Sequence, residues 1–179
     1  MRGSLSRIDN FAPEMIATET LVVDSTGRSF TEITGEAMRF VSESRAKDGA
    51  LFLFLRHTSA SLVVQENADP DVRSDLVSAL DRLAPADAPW VHAVEGPDDM
   101  PAHVKTMLTG VSLHIPVVGG ALALGTWQGI FIAEHRARPH RRELVLNSSA
   151  AGGNRLILAG KNRIEPTGSS SLKTISGLC

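Results

Sequence analysis

The pattern of apolar and polar positions in the first third of the chain predicts three strands and one helix. Thr, Val and Ile dominate residues 15–24, which are therefore predicted to form a strand. Apolar residues recur at helical spacing over 34–46, which indicates an amphipathic helix. The continuous apolar run Ala50–Leu55 suits a strand buried on both faces, and Leu62–Val64 resumes as a strand after a polar interruption.

The rest of the pattern adds two helices and several short strands. Asp69-Pro70 predicts the start of a helix. An aspartate can cap the free backbone N–H groups of the first turn, and a proline fits the first helical position. A short helix is predicted over Pro101–Leu108, after a long loop over 85–100. Gly119-Gly120 predicts a hairpin, and the later strands are predicted at 112–118, 121–124, 130–134 and 144–147. The predicted fold class is α+β: a compact, mainly antiparallel sheet or sandwich core with two or three helices.

The two ends of the chain differ from its centre. Residues 1–14 are predicted to be an N-terminal extension and residues 15–147 a single domain. After Ser148 the composition changes to Ser, Gly, Asn, Lys and Arg, so residues 148–179 are predicted to be a mobile C-terminal extension. The longest apolar run is far shorter than the about 20 residues of a membrane span, and no signal-peptide pattern precedes it. We therefore expect a cytoplasmic protein without a membrane partner.

Composition excludes further classes of partner. The 179 residues include 18 Lys and Arg against 20 Asp and Glu, a formal net charge of −2, which gives no electrostatic footprint for nucleic acid. Six Phe, two Trp and no Tyr leave few rings on which bases could stack. Cys179 is the single cysteine and cannot form an internal disulfide. We expect no nucleic-acid partner.

Polar residues that could bind a ligand follow two predicted strands. At the end of the first buried strand, donors and an imidazole reach the rim of the core, where ligand sites tend to form, although this segment taken alone favours an ordinary polar loop. These residues are Arg56, His57, Thr58 and Ser59. After the next strand, Asn67 and Arg73 could hold a phosphate at a helix start, whereas Asp69 could simply cap that helix.

Histidines provide a possible metal site. His92 lies in the long loop, His103 in the short helix that follows it, and His57 at the strand end. Three imidazoles suit a zinc-like ion. Their spacing matches no sharp metal-binding motif, so ordinary surface or core histidines are the alternative.

The segment 125–136 combines several unusual residues. Trp127 and Gln128 stand between glycines, which allow close approach of the backbone. Glu134 and Arg136 alternate onto one face of a predicted strand. Glu134 could be a metal ligand or general base with Arg136 as an anion clamp, or the two could form a plain surface ion pair.

Together these motifs resemble the YjbQ-like family, which is also labelled secondary thiamine-phosphate synthase. Residues 15–147 contain them in order: HTSAS, ENxDPxVR, DDMPxH, and GTWQGI followed by EHR. The resemblance implies a compact α+β fold that assembles as a homotrimer with sites near subunit boundaries. It also implies recurrent histidines at His57, His92 and His103 and an acidic–basic pair at Glu134 and Arg136.

Some members of that family are credited with forming thiamine phosphate, so the resemblance implies an enzyme acting on a phosphorylated small molecule. The reaction joins a pyrimidine diphosphate to a thiazole phosphate and releases diphosphate. Diphosphate needs cations, which Mg²⁺ and basic side chains such as Arg56, Arg73, Lys105 and Arg136 could supply. Three imidazoles suit zinc better, so a metal-dependent hydrolase is the alternative, followed by a non-catalytic trimeric ligand-binding protein.

The expected site residues fall into three groups. We expect catalytic roles for His57, Glu134 and Arg136, and metal ligation by His57, His92 and His103. The residues expected to bind ligand or cofactor are Arg56, Thr58, Ser59, Asn67, Asp69, Arg73, Trp127 and Gln128.

Overall fold

The computed structural model describes residue 10 and residues 12–152, and this part of the chain forms three helices and eight strands. In chain order these are β1 (Met15–Asp24), β2 (Ser29–Glu32), α1 (Thr34–Glu43), β3 (Ala46–Leu55), β4 (Ala60–Glu66), α2 (Pro70–Leu83), α3 (Asp99–Thr109), β5 (Ser112–Val118), β6 (Ala121–Leu122), β7 (Gln128–Glu134) and β8 (Arg141–Gly152). The mixed α+β fold class predicted from the pattern is confirmed.

Two antiparallel sheets enclose one apolar core. The larger has the strand order β1-β8-β3-β5-β6 and the smaller the order β2-β7-β4. Their inner faces and one side of α1 supply a single buried cluster, which includes Phe40, Leu53, Leu62, Ile132 and Leu146. Because sheet faces alternate along a strand, each strand gives this core every second side chain.

Strand β3 is buried on one face only, which corrects the prediction from its continuous apolar run. Leu51, Leu53 and Leu55 point into the core, whereas Phe52 and Phe54 are 38% and 51% exposed on the opposite face. The physical reason is the architecture: an antiparallel sheet needs only one covered face, while the prediction assumed cover on both. The outer face of the larger sheet therefore presents large apolar side chains to solvent.

Several boundaries differ from those predicted. Helix α1 ends at Glu43, before Arg45 takes a left-handed backbone conformation with φ of 57°. Helix α3 begins at Asp99, two residues before the predicted start. Strand β2 was not predicted, because four residues carry too little periodicity.

The last strand also runs further than expected. It was predicted over 144–147 but extends from Arg141 to Gly152, and Ala150 pairs with Met15 on one side and Gly49 on the other. The first residues of the predicted C-terminal extension thus belong to the sheet, and residues 153–179 lie outside the described part of the chain. No helix of the described segments is long and apolar enough to cross a bilayer.

Candidate metal site and adjacent groove

Helix α3 and the loop before it bring two imidazoles and a carboxylate together. Asp99 and His103 are four residues apart, so they share one face of α3. His92, from the α2–α3 loop, places Nε2 at 2.8 Å from Asp99 Oδ2, and His103 Nε2 lies 3.4 Å from the same oxygen. One ligand atom from each of the three side chains lies within 4.8 Å of the others.

Asp99 is held in place by Arg136. The carboxylate is 1% exposed, and its Oδ1 accepts a hydrogen bond from Arg136 Nη1. The same guanidinium donates from Nε to Asp98 Oδ2 at 3.2 Å and from Nη2 to the Glu95 carbonyl at 2.8 Å. Burial raises the pKa of Asp98, but hydrogen bonds from the Ala137 amide and Arg136 outweigh this and hold it below its usual range.

The tautomer of His103 is fixed by Thr58. Its Nδ1–H donates to the Thr58 carbonyl oxygen at 2.9 Å, because a carbonyl can only accept. Nε2 of neutral His103 therefore carries a lone pair, on the side that faces Asp99. A backbone carbonyl on the far ring nitrogen is the usual way in which metal-binding histidines are oriented.

This donor set fits a zinc-like ion. Two imidazoles and one carboxylate are common zinc ligands, whereas Mg²⁺ prefers oxygen ligands alone. Ligand atoms at about 2.0–2.1 Å from a tetrahedral zinc lie roughly 3–3.5 Å apart, close to the 2.8 and 3.4 Å measured from Asp99 Oδ2. Three protein ligands leave a fourth position for a small molecule, as catalytic zinc sites do.

His57 lies outside this cluster, so the structure changes one member of the predicted metal set. The cluster of possible metal ligands contains His92, Asp99 and His103 but not His57, whose Nε2 accepts a hydrogen bond from the Glu143 amide at 2.8 Å. Burial, followed by the positive charge of Arg142, lowers the pKa of His57 below its ordinary value. Asp99 takes the place that the sequence analysis gave to His57.

Glu134 pairs with Arg142 and not with the side chain of Arg136, which corrects the predicted acidic–basic pair. Arg142 donates two hydrogen bonds to Glu134, at 2.6 and 2.7 Å, and Ser25 adds a third at 2.8 Å. Only the backbone N–H of Arg136 reaches Glu134, at 2.9 Å, because β7 ends at Glu134 and the alternation stops there.

The surroundings of Glu134 also bear on its predicted role as a base. Burial raises its pKa, but the hydrogen bonds from Arg142, the Arg136 amide and Ser25 outweigh this and lower it below the usual value. Glu134 is thus a buried, ionised and fully bonded carboxylate. Through Arg142 it joins the end of β7 to β8.

A groove of about 550 Å³ opens next to the cluster. Its apolar walls come from Phe54, Leu55, Met107 and Val111, and its polar lining includes Arg56, His57, Thr58 and His103. Arg56, His57 and Thr58, three of the four strand-end residues predicted to bind a ligand, therefore line this groove, whereas Ser59 does not. His103 belongs to both the groove and the cluster.

Comparison with known proteins places the chain in a family. The family model described as "UPF0047 protein YjbQ-like" matches residues 19–151. The chain belongs to the YjbQ-like (UPF0047) family. A UPF0047 protein of Synechocystis sp. is 48% identical over 132 residues, covering 73% of this chain and 90% of the relative. The UPF0047 protein YjbQ of Escherichia coli O157:H7 is 40% identical over 128 residues, covering 71% and 93%.

Solved structures agree with this membership in the YjbQ-like family. A hypothetical protein of Aeropyrum pernix superposes with a TM-score of 0.70 at 29% identity, covering 75% of this chain and 99% of that one. A conserved hypothetical protein of Thermus thermophilus gives a TM-score of 0.64 at 38% identity, with coverages of 71% and 97%. The family is one of unknown function.

The remaining predicted residues of this YjbQ-like chain lie at the far end of the smaller sheet. Gln128 pairs with Glu66 at one end of the β4–β7 ladder and Glu134 with Ala60 at the other, six residues or about 20 Å away. The residues at or next to that far end are Asn67, Asp69, Arg73, Trp127 and Gln128. Within one copy of the YjbQ-like chain they do not converge with the histidines.

Each of these far-end residues has a local role. Asp69 caps α2 by accepting the Asp71 amide at 2.9 Å, and Arg73 stacks over the ring of Phe131. The backbone N–H of Asn67 donates to the Trp127 carbonyl at 3.0 Å, and the Gln128 side-chain oxygen accepts from the Gly125 backbone N–H at 2.7 Å. At the near end, Ser59 accepts a hydrogen bond from Arg142 Nη2 at 3.2 Å.

The sequence analysis did not group Asp99 with the two histidines, and it missed Arg142. Asp99 had a usable signal: in DDMPxH it stands four residues before His103, but a helix predicted to start at Pro101 hid that relation. Arg142 stands in a run of basic residues that looks like an ordinary exposed turn. Its burial follows only from the position of β8 in the sheet.

Proposed function

We propose that this chain is a metal-dependent hydrolase that acts on a small molecule. His92, Asp99 and His103 would hold a zinc-like ion, and the groove beside them would hold the apolar part of the substrate. The observation that carries this proposal is the convergence of two imidazoles and a buried carboxylate at the edge of the groove.

The side chains around the cluster have defined tasks. Arg136 holds Asp99 by Oδ1, so that Oδ2 faces the two histidines, and Thr58 holds His103 in the tautomer that leaves Nε2 available. The groove walls exclude water from one side of the substrate. When bound, a zinc-like ion supplies Lewis-acid chemistry, which polarises a substrate oxygen or activates water for attack.

Charge pairing favours hydrolysis over the thiamine-phosphate reaction. Three of the cations that a diphosphate would need already have carboxylate partners: Arg56 binds Glu143 at 3.0 Å, Lys105 binds Asp81, and Arg136 binds Asp98 and Asp99. Thiamine-phosphate formation stays a prediction from the resemblance. Growth without thiamine of a strain that lacks thiamine-phosphate synthase but expresses this chain would favour it instead.

We also propose that copies of the chain associate, as the resemblance to homotrimeric proteins implies. The support is the outer face of the larger sheet, where exposed apolar side chains include Ile16, Phe52, Phe54 and Val118. Phe54 belongs to both this face and the groove, so association there would bring a second copy to the edge of the site. Sedimentation equilibrium of the full chain would give three copies per particle; a monomer would contradict the proposal.

Metal content and turnover test the main proposal together. The protein is purified without a chelating column, its metal is measured by elemental analysis, and release of 4-nitrophenol is followed from 4-nitrophenyl acetate and 4-nitrophenyl phosphate. We expect about one transition-metal ion per chain. His103→Ala should lose the ion and the activity, whereas His140→Ala, which removes a ring bonded to the Arg138 carbonyl near the surface, should keep both.

Three results would count against the hydrolase. Folded wild-type protein with only traces of transition metal would remove the site itself. Full metal retention in His103→Ala would place the ion elsewhere. A metal-loaded protein that binds ligands in the groove without turning over any ester or phosphate would favour the non-catalytic binding protein.

A further inference from the structure

His57 is held in one orientation and one protonation state. The Glu143 amide can only donate, so His57 Nε2 accepts at 2.8 Å and the proton of the neutral ring sits on Nδ1. Burial and the charge of Arg142 lower the pKa of His57, which keeps the ring neutral near pH 7. No other residue of the described chain takes Nδ1, so its N–H is available to a ligand.

His57 and His103 offer complementary atoms to the same groove. The Thr58 carbonyl fixes the proton of His103 on Nδ1 and leaves Nε2 as an acceptor or metal ligand, whereas the Glu143 amide leaves His57 with a free donor. Both rings line the groove, and neither can exchange roles without breaking its backbone hydrogen bond. His103 is thus available to hold an ion that activates a substrate, and His57 to recognise an oxygen on that substrate.

The charges of the groove narrow the class of substrate. Its one permanently charged lining residue among those described is Arg56, which Glu143 neutralises at 3.0 Å. The walls around Phe54, Met107 and Val111 are apolar. Apart from the ion that the cluster would hold, a multiply charged ligand would lose its hydration along these walls without gaining a free cation, whereas an uncharged ligand with an apolar body would not.

We infer that His57 is a specificity-determining residue whose Nδ1–H donates to the carbonyl oxygen of an uncharged ester or amide with an apolar substituent. This inference rests on the proposed function, because it names the substrate class of the same site. His57 neither binds metal nor transfers a proton in this role. Its hydrogen bond selects substrates that carry an oxygen acceptor and orients their carbonyl carbon toward the cluster.

Two measurements test the inference without any turnover. Long-range ¹H–¹⁵N spectra of histidine-labelled protein report the tautomer of His57, which we expect to carry its proton on Nδ1 at pH 7. Zinc-loaded protein is titrated with acetophenone and with its oxygen-free isostere ethylbenzene. The ratio of the two dissociation constants measures how much the contact with the carbonyl oxygen adds to binding. One hydrogen bond should make acetophenone bind about five- to tenfold more tightly.

Variants of His57 test whether this residue causes the tighter binding of acetophenone. His57→Phe keeps an aromatic ring but no donor, so it should bind the two probes equally while retaining its metal. His57→Asn keeps an N–H near the position of Nδ1 and should restore part of the preference. The matched control His140→Phe, whose ring is bonded to the Arg138 carbonyl near the surface, should leave the preference unchanged.

Several outcomes would overturn the inference. They are an Nε2–H tautomer of His57, equal binding of both probes by the wild type, an unchanged preference in His57→Phe, and loss of metal from that variant. Tighter binding of phenyl phosphate than of acetophenone would overturn the substrate class. If His57→Phe does not fold, the inference is tested by the tautomer of His57 in the wild type and by the probe preference of His57→Asn. Absence of metal from the wild type would instead refute the proposed function, and the probe titration with metal-free protein would still report on His57.

Discussion

Arg136 binds Asp99 through Oδ1 and thereby leaves Oδ2 of the same carboxylate facing both His92 and His103. A carboxylate held in this way offers one oxygen to the protein and one to an ion. Arg136 therefore binds an anion, and this anion is the Asp99 side chain of the same protein. The arrangement makes Asp99 the centre of the cluster, and it directs the predictions that follow.

Asp99→Asn should abolish high-affinity zinc binding, because the amide oxygen is a poor zinc ligand and its nitrogen would face the donors of Arg136. Isothermal titration of metal-free protein with zinc measures the change. Asp87→Asn, at an exposed position in the α2–α3 loop, is the control and should bind zinc as the wild type does. Equal zinc affinity of wild type and Asp99→Asn would show that the carboxylate is not a ligand.

Arg136→Lys should weaken zinc binding by about 10–100-fold while the fold is retained, since it disturbs the partner that orients a ligand. A lysine cannot reproduce the separate hydrogen bonds to Asp98, Asp99 and the Glu95 carbonyl, because it lacks the planar fork of donors. Competition with a chromogenic chelator gives the affinity. Arg138→Lys, which is exposed, should have no effect, and a similar loss in both variants would contradict the clamp.

Arg142→Gln should lower the free energy of unfolding by about 3–5 kcal/mol, because it leaves Glu134 as a buried charge without its partner. Both side chains are buried, with exposures of 4% and 0%. Arg56→Gln breaks an exposed pair with Glu143 and should cost less than about 1 kcal/mol. Urea denaturation of the two variants gives both values, and equal costs would argue against the buried pair as an anchor of β7 and β8.

Acidification should destabilise the protein through His135. Its ring is buried with Nε2 at 2.7 Å from Ser61 Oγ, and burial, followed by the charge of Lys105, lowers its pKa to about 4. The unfolded chain binds a proton at His135 below about pH 6.5 and the folded chain only below about pH 4, so this stability is lost as the pH falls between those values.

The loss can be measured by unfolding in urea at two pH values. Between pH 7 and pH 5 His135 should account for about 2 kcal/mol of lost stability. His135→Gln removes the titrating group and should lack that part of the pH dependence, although it lowers stability at both pH values. His140→Gln replaces a ring that lies near the surface and should retain the full pH dependence of stability. An unchanged slope in His135→Gln would show that the ring is not buried neutral.

Local signals in the sequence located most elements but few of the site's contacts. Asp69-Pro70 predicted the start of α2 and Gly119-Gly120 predicted the β5–β6 hairpin, because both depend on neighbouring residues alone. The apolar run Ala50–Leu55 was predicted to be buried on both faces. It is buried on one, because a run of apolar residues does not specify whether another element packs on each face. Glu134 and Arg136 were paired by alternation, and the end of β7 broke that alternation.

The amino-acid pattern by itself determined the α+β class, the order of strands and helices apart from β2, and the residue types that carry chemistry, since these follow from short-range periodicity and side-chain chemistry. Only the tertiary structure decided which of those residues meet. Asp99 joins His92 and His103, while His57 turns to Glu143. The Thr58 carbonyl takes one nitrogen of His103, and the Glu143 amide takes one nitrogen of His57. Contacts between residues 45 to 86 positions apart depend on how the sheets close around the core, and no local pattern encodes that closure.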